Sequence, residues 1–251
     1  MESKKLSYEG YNLVWEDDFD GDSLNRDDWN VELHEPLWVN EEWQKYIDSD
    51  ENIYVKDSIL HLQPVRVGKK DEAGSYTSGR VNTIHKHDFI YGIFEARLKI
   101  PRGKGYLPAF WLLADEEVHP WPICGEIDIM EIHGSDTVKN YGTIHYGLPH
   151  EQNQGIFELE NGDFAEEFHD FALEWLPGKL LFYVDGILYH EITDWYSGEE
   201  DGTMYPGKAP FDHEFHIILN LAVGNNWAGY PDGSTSFENA FEIDYVRVYQ
   251  K

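Results

Sequence analysis

Residues 91–101 read YGIFEARLKIP. Phe94, Ala96, Leu98 and Ile100 fall on one side of a period-two alternation, and Glu95, Arg97 and Lys99 fall on the other. That is the pattern of a half-buried strand in an antiparallel sheet. Further along, FALEWLPGKLLFYVDGILYHEI (171–192) sets Pro177-Gly178 and Asp185-Gly186 between short runs rich in aromatic and β-branched residues, which predicts a three-stranded meander. SILHLQPVRV (58–67), YGTIHYG (141–147), FHIILNLAVG (215–224) and FEIDYVRVYQ (241–250) are further strand candidates. Helical periodicity hardly appears, so the chain is all-β, of sandwich or barrel type. The acidic, glycine-containing stretches 150–168 and 196–212 are read as loops between strands. With no internal repeat and no linker, 1–251 is read as a single domain.

Composition narrows the partners. The 48 acidic and 19 basic residues give a formal charge of -29, while 15% aromatic content, with nine Trp, argues for a packed fold rather than disorder. So acidic a surface repels phosphates and sulfates, so nucleic acid and anionic membranes are excluded as partners, and a neutral ligand or a cation fits. Cys124 is the only cysteine, which rules out a disulfide within the chain and reads as a buried thiol. No run of about 18 apolar residues occurs that would span a membrane. The start, MESKKLSYEG, has no apolar stretch after its lysines. Two locations stay open: cytoplasmic, or secreted with a signal removed. The chain is expected to act as a monomer.

The segment GEIDIMEIHG (125–134) carries the chemistry. On a helix, at about 100° per residue, Glu126 and Glu131 lie about 140° apart and the three acids cannot converge. On a regular strand Glu126 and Asp128 share a face, while Glu131 points to the other side. One extra residue, Ile129 or Met130, repairs this: a β-bulge there returns Glu131 to the common face. The two glutamate Cα atoms are then about 13 Å apart at about 3.3 Å per step. Long side chains leaning inward close this to the roughly 5 Å typical of retaining glycosidases. Three neighbouring carboxylates cannot all ionise at their usual values, so one proton is kept among them. On pattern alone, a solvated acidic face and a hard-cation site stay open beside this reading.

The run WPICGEIDIMEIHG (121–134) resembles the active-site strand of glycoside hydrolase family 16, in particular its laminarinase (endo-β-1,3-glucanase) branch, which carries the extra Met. LVWEDDFDG (13–21), YTSGRVNT (76–83), PAFWLL (108–113), TIHYG (143–147), LNLAVGNNWAG (219–229) and IDYVRVYQ (243–250) extend the resemblance over nearly the whole chain. It implies a β-jelly-roll sandwich of two antiparallel sheets with a substrate cleft on the concave face. It also implies that Glu126 is the nucleophile, Glu131 the general acid and base, and Asp128 the helper between them. Trp121 and Trp111 are the expected sugar platforms, and Asn40, Arg80 and Asn226 expected donors to sugar hydroxyls. His145 is placed on the leaving-group side. His133, on the acids' face if pairing is regular after the bulge, is either within reach of Glu131 or a structural histidine. Asp18 and Asp244 resemble positions that hold a structural calcium joining the chain ends, while no cofactor is implied for catalysis.

Two departures from the family pattern stand out. GYLPAFW has Tyr106 and Leu107 where a Trp usually opens the cleft loop, and NEEWQKY (40–46) replaces an NNELQYY-like segment, bringing in Glu41 and Trp43. The expected substrate is a β-glucan: β-1,3-glucan first, with mixed-linkage β-1,3/1,4-glucan or another neutral β-glycan such as a galactan as alternatives. A non-catalytic glycan-binding jelly roll is the competing class, and its usual sign, loss of a catalytic glutamate, is absent here.

Overall fold

Phe94, Ala96, Leu98 and Ile100 are all buried, and the strand that carries the first three, Gly92–Lys99, lies inside an eight-stranded antiparallel sheet. In this computed structural model residues 5–118, 120–198, 204–206 and 209–251 are described. The back sheet runs Ile187–Ile192, Lys179–Val184, His169–Leu176, Gly92–Lys99, Phe241–Gln250, Ile59–Leu62 and Ile53–Lys56, with Asn12–Asp17 also paired to Phe241–Gln250. A second eight-stranded sheet runs Glu151–Glu158, Lys139–Tyr146, Glu126–Glu131, Tyr106–Ala114, Phe215–Val223, Arg80–Asn82 and Asn30–Val31, with Asp88–Phe89 also paired to Phe215–Val223. Between them Phe110, Leu112, Ile127, Ile217 and Leu219 join Phe94, Leu173, Phe182, Val246 and Val248 in one apolar core. Each such side chain contributes about 1.5–3 kcal/mol relative to exposure. Among the described residues no helix is long and apolar enough to cross a membrane.

The meander forms as expected, His169–Leu176, Lys179–Val184 and Ile187–Ile192 turning at Gly178 and at Asp185-Gly186. Three readings are corrected. The stretch 150–168 is not all loop: Glu151–Glu158 pairs along its length with Lys139–Tyr146. It is an edge strand with an exposed face, so its sequence carries little apolar signal. Within 196–212, Tyr196–Gly198 pairs with Met204–Pro206, and the rest lies partly outside the described residues. The 58–67 run splits at Gln63-Pro64 into Ile59–Leu62 and Val65–Arg66, which belong to different sheets. Proline has no N–H for the ladder, and the break falls there.

Glu95, expected on a solvated face, is buried. The Tyr8 hydroxyl donates to one of its oxygens and the Tyr245 hydroxyl, at 2.7 Å, to the other. Cys124 is buried and free, as its reading anticipates.

Candidate active site

The strand Glu126–Glu131 carries the predicted bulge. Against Tyr106–Ala114, Met130 pairs with Phe110 and Asp128 with Trp111, which leaves Ile129 as the extra residue. On the other side Asp128 faces Thr143 and Glu131 faces Tyr141, so Ile129 and Met130 together oppose Gly142. A Cβ on Gly142 would run into the Tyr189 hydroxyl, so a glycine opposite the bulge leaves room for that ring. The Asn140 amide reaches back to the Ile129 carbonyl at 3.4 Å. Gly125, φ +83°, turns the chain into the strand against Pro210 and Phe215. The two bulge residues are both buried, while Glu126, Asp128 and Glu131 share the opposite face.

Register then assembles the site across the sheet. Arg80, Asn220, Ala109, Glu131 and Tyr141 form one row on that face, and Leu113, Glu126 and His145 form another. Trp121 Nε1 donates to Glu126 Oε2 at 2.6 Å, while its indole stays 44% exposed. Asp128 is only 3% exposed, and its Oδ2, 3.4 Å from His145 Nε2, has no hydrogen-bond partner. Burial, then the charge of Glu126 and a hydrogen bond to it, hold Asp128 well above the ordinary carboxylate range. Glu131 is also held well above that range, by burial first and then by Asp128 and Glu126, with His145 opposing. This face therefore keeps protons on carboxyl groups at a pH where isolated acids have lost them.

Two groups that the sequence reading did not single out complete the surroundings. His150 Nε2 lies 3.0 Å from His145 Nδ1, and its ring packs 4.8 Å from that of Trp121. Trp227, 45% exposed, meets the His133 ring edge-on at 4.3 Å and Tyr141 at 5.1 Å. His133 is thus packed in an aromatic corner, with its Nε2 buried and unpartnered and its pKa lowered by burial. Exposed indoles thereby flank the acids, Trp121 beside Glu126 and Trp227 beside the Tyr141 that faces Glu131.

Trp111, half-buried, donates through Nε1 to Asn220 Oδ1 at 2.7 Å, and the Arg80 guanidinium lies 4.8 Å from its ring. Arg80 is itself buried and gives its Nε proton to Glu32 Oε2 at 2.7 Å. Burial alone would raise Glu32, but Arg80, His34 and Asn82 pull it down to about 2. The Arg80 guanidinium also lies 5.5 Å from the ring of Trp38, which is 51% exposed and stacks 3.5 Å from His34. Arg80 is therefore engaged by Glu32 and packed near two indoles, and does not stand as a free donor. Asn40 sits exposed on a turn at φ +52°. Asn226 does not stand free either: its amide donates to Glu41 Oε2 at 2.7 Å and its Oδ1 accepts from the Tyr230 hydroxyl at 2.9 Å. Trp43 packs 4.4 Å from Tyr230, so both departures in NEEWQKY are joined to the 226–230 loop. Tyr106 lies in the core and donates to the Ser236 carbonyl at 2.6 Å, away from any sugar platform.

Asp18 accepts from Arg247 Nη2 at 3.0 Å, and Asp244 pairs with Arg97 Nε at 3.2 Å. Two carboxylates each held by a different guanidinium do not present the shared oxygen set calcium takes, and the expected pair does not fit the ion as placed. Among the described residues the one group with ligand atoms close enough for a metal is Glu126, Asp128 and His145.

A two-sheet β-sandwich with three acids, two of them proton-retaining, between exposed indoles defines a carbohydrate-cleaving enzyme. Comparison with known proteins gives the family. Residues 39–247 match glycosyl hydrolases family 16, and the chain belongs to that family; it is a glycoside hydrolase of the retaining type. It is 36% identical over 254 residues to a glucan endo-1,3-beta-glucosidase from Cryptopygus antarcticus, covering 94% of this chain and 91% of that one. It is 35% identical to glucan endo-1,3-beta-glucosidase A1 from Niallia circulans over 96% of this chain, but spans only 38% of that longer protein. Among solved structures, the catalytic domain of an endo-1,3-beta-glucanase (laminarinase) from Thermotoga petrophila superposes with a TM-score of 0.81 at 37% identity, covering 96% of this chain and 98% of that one.

Proposed function

We propose that the chain hydrolyses β-1,3-glucan internally, by double displacement at Glu126 and Glu131. The observation that carries this is the bulge at Ile129, which sets both glutamates and Asp128 on one sheet face. Glu126 attacks the anomeric carbon and forms the glycosyl-enzyme ester while the glycosidic C–O bond breaks. Glu131, kept protonated by its surroundings, gives its proton to the departing oxygen. Water, losing a proton to Glu131, then attacks the same carbon and releases the sugar with net retention. Asp128 keeps its proton beside Glu126 and stabilises that carboxylate by hydrogen bonding. The Trp121 N–H fixes Glu126 Oε2 and leaves the other oxygen to attack. Exposed Trp121 and Trp227 on the two sides of the acids suit pyranose rings on both sides of the scissile bond, which is the geometry of internal cleavage.

The relatives named as endo-1,3-beta-glucosidases support β-1,3-glucan. A mixed-linkage reading has its own support: a structure described as a non-specific endo-beta-1,3(4)-glucanase matches with a TM-score of 0.83 at 31% identity. The test is proton NMR of laminarin and barley mixed-linkage glucan in parallel, with Glu126→Gln as control. Laminarin should be cleaved with the β-anomer appearing first and the control should be inactive; activity on the barley glucan then sets the breadth. Folded wild-type protein that cleaves neither glucan overturns the substrate, and oligosaccharide binding without product would place the chain with glycan-binding jelly rolls.

A further inference from the structure

We infer that the acid cluster is also a binding site for a divalent transition-metal ion of the zinc class, held by Glu126, Asp128 and His145, and that the bound ion blocks hydrolysis. One ligand atom from each of the three lies within 4.8 Å of the others. Zinc takes carboxylate oxygen and imidazole nitrogen at about 2.0–2.2 Å, which draws such donors to a common centre with little side-chain movement.

Asp128 Oδ2 supplies an independent reason for an ion. Asp128 is only 3% exposed, its Oδ2 has no hydrogen-bond partner, and His145 Nε2 lies 3.4 Å away. A buried carboxyl oxygen left without a partner is costly; an ion shared with Glu126 gives it one and takes the place of the proton held between the two acids, which leaves to solvent. The imidazole is oriented for the same task. His145 Nδ1 lies 3.0 Å from His150 Nε2. With the proton on Nδ1 donated to His150, Nε2 presents its lone pair to Asp128, and a ligating histidine held through its other nitrogen is the usual metal-site arrangement. Trp121 engages Glu126 Oε2 only, so the second oxygen of Glu126 is available to the ion. Three protein ligands leave a fourth position for water or a sugar hydroxyl. The nitrogen in the set favours zinc, copper or cobalt over calcium and magnesium, which take all-oxygen sets.

Inhibition follows because the ion occupies the lone pairs with which Glu126 would attack; this part rests on the proposed function, whereas binding does not. The experiment titrates metal-free protein with zinc chloride and, separately, calcium chloride by calorimetry. Cobalt(II) serves as a visible-absorption probe of the ligand set. One zinc per chain is expected, with no calcium heat, and a laminari-oligosaccharide should weaken zinc binding. His145→Gln should weaken it more than about tenfold, and His150→Phe, which removes the group orienting His145, by about 10–100-fold. Circular dichroism checks that the variants are folded. Absence of zinc binding at millimolar ion, or stoichiometric binding that His145→Gln and the oligosaccharide leave unchanged, overturns the inference. If zinc binds as expected and no glucan is cleaved, the site stands and the substrate reading fails.

Discussion

Under the proposed mechanism Asp128 serves catalysis at a cost to the fold. Burial and the neighbouring Glu126 raise its pKa in the folded state above the unfolded value. The fold therefore binds this proton more tightly than the unfolded chain does. Its contribution is fully present below the unfolded pKa and is lost as pH rises through the folded one. Asp128→Asn keeps a donor toward Glu126 and never ionises. It should raise stability at pH 8 by on the order of 1–3 kcal/mol, the usual cost of an unsatisfied buried polar group. The gain should shrink as the pH falls toward 4, while turnover drops; thermal melts at the two pH values and initial rates on laminarin check this, and a variant less stable at pH 8 than the wild type would refute it. The raised pKa of Glu131 has a kinetic counterpart. As general acid it must be protonated, so activity should persist above the ordinary glutamate value of 4.5 and fall as pH rises through the raised one. Glu131→Gln should lower kcat on laminarin by about 10²–10⁴-fold and abolish that alkaline limb. A limb that survives the substitution belongs to another group. The common face of the acids was legible from strand parity once a bulge was counted in, because side-chain direction on a strand follows from counting; their roles came from the family resemblance. His150 and Trp227 were not legible, since they reach the site across a strand turn and from the end of a loop, where no periodicity fixes direction.

At the scale of the element, the bulge separates two deletions that look alike. Deleting Met130 turns the acid strand into a regular E-x-D-x-E, in which all three acids keep one face. Deleting Ile127 puts Glu126 and Asp128 on adjacent positions and opposite faces. Both remove one buried apolar residue from the same strand, so their packing costs are comparable. The Met130 deletion should retain measurable hydrolysis, and the Ile127 deletion should fall to background, more than about 10³-fold lower. Rates on laminarin, normalised to folded protein by circular dichroism, decide it: equal losses from both deletions would mean that strand parity does not build the site. The same counting made the back-sheet strands legible, because apolar alternation marks a half-buried strand. It failed at Glu151–Glu158, an edge strand with an exposed face, and at Glu95, whose burial comes from tyrosines approaching from Tyr8 and Tyr245. Cover from distant chain segments leaves no mark on the alternation of the strand that is covered.

The whole molecule carries a charge of -29, and several of its acids lie near one another on the active face. Glu116 is raised by burial and then by the charge of Glu126, and Glu42 adds to the forces raising Glu131. The buried cation on this face, Arg80, is already paired with Glu32. A glucan bearing carboxylate groups must bring its charges into this field, whereas neutral laminarin does not. At about 0.01 M ionic strength, where charges are felt over about 30 Å, kcat/KM on carboxymethylated laminarin should be about tenfold or more below that on hydroxyethylated laminarin, a neutral derivative that imposes similar crowding. Near 1 M salt, where the range shrinks to about 3 Å, the gap should largely close. Crowding by the substituents does not respond to salt, so the part of the deficit that disappears measures the field alone. A deficit that stays constant with salt would mean that the acids are locally compensated and that pocket shape, not charge, excludes anionic glycans.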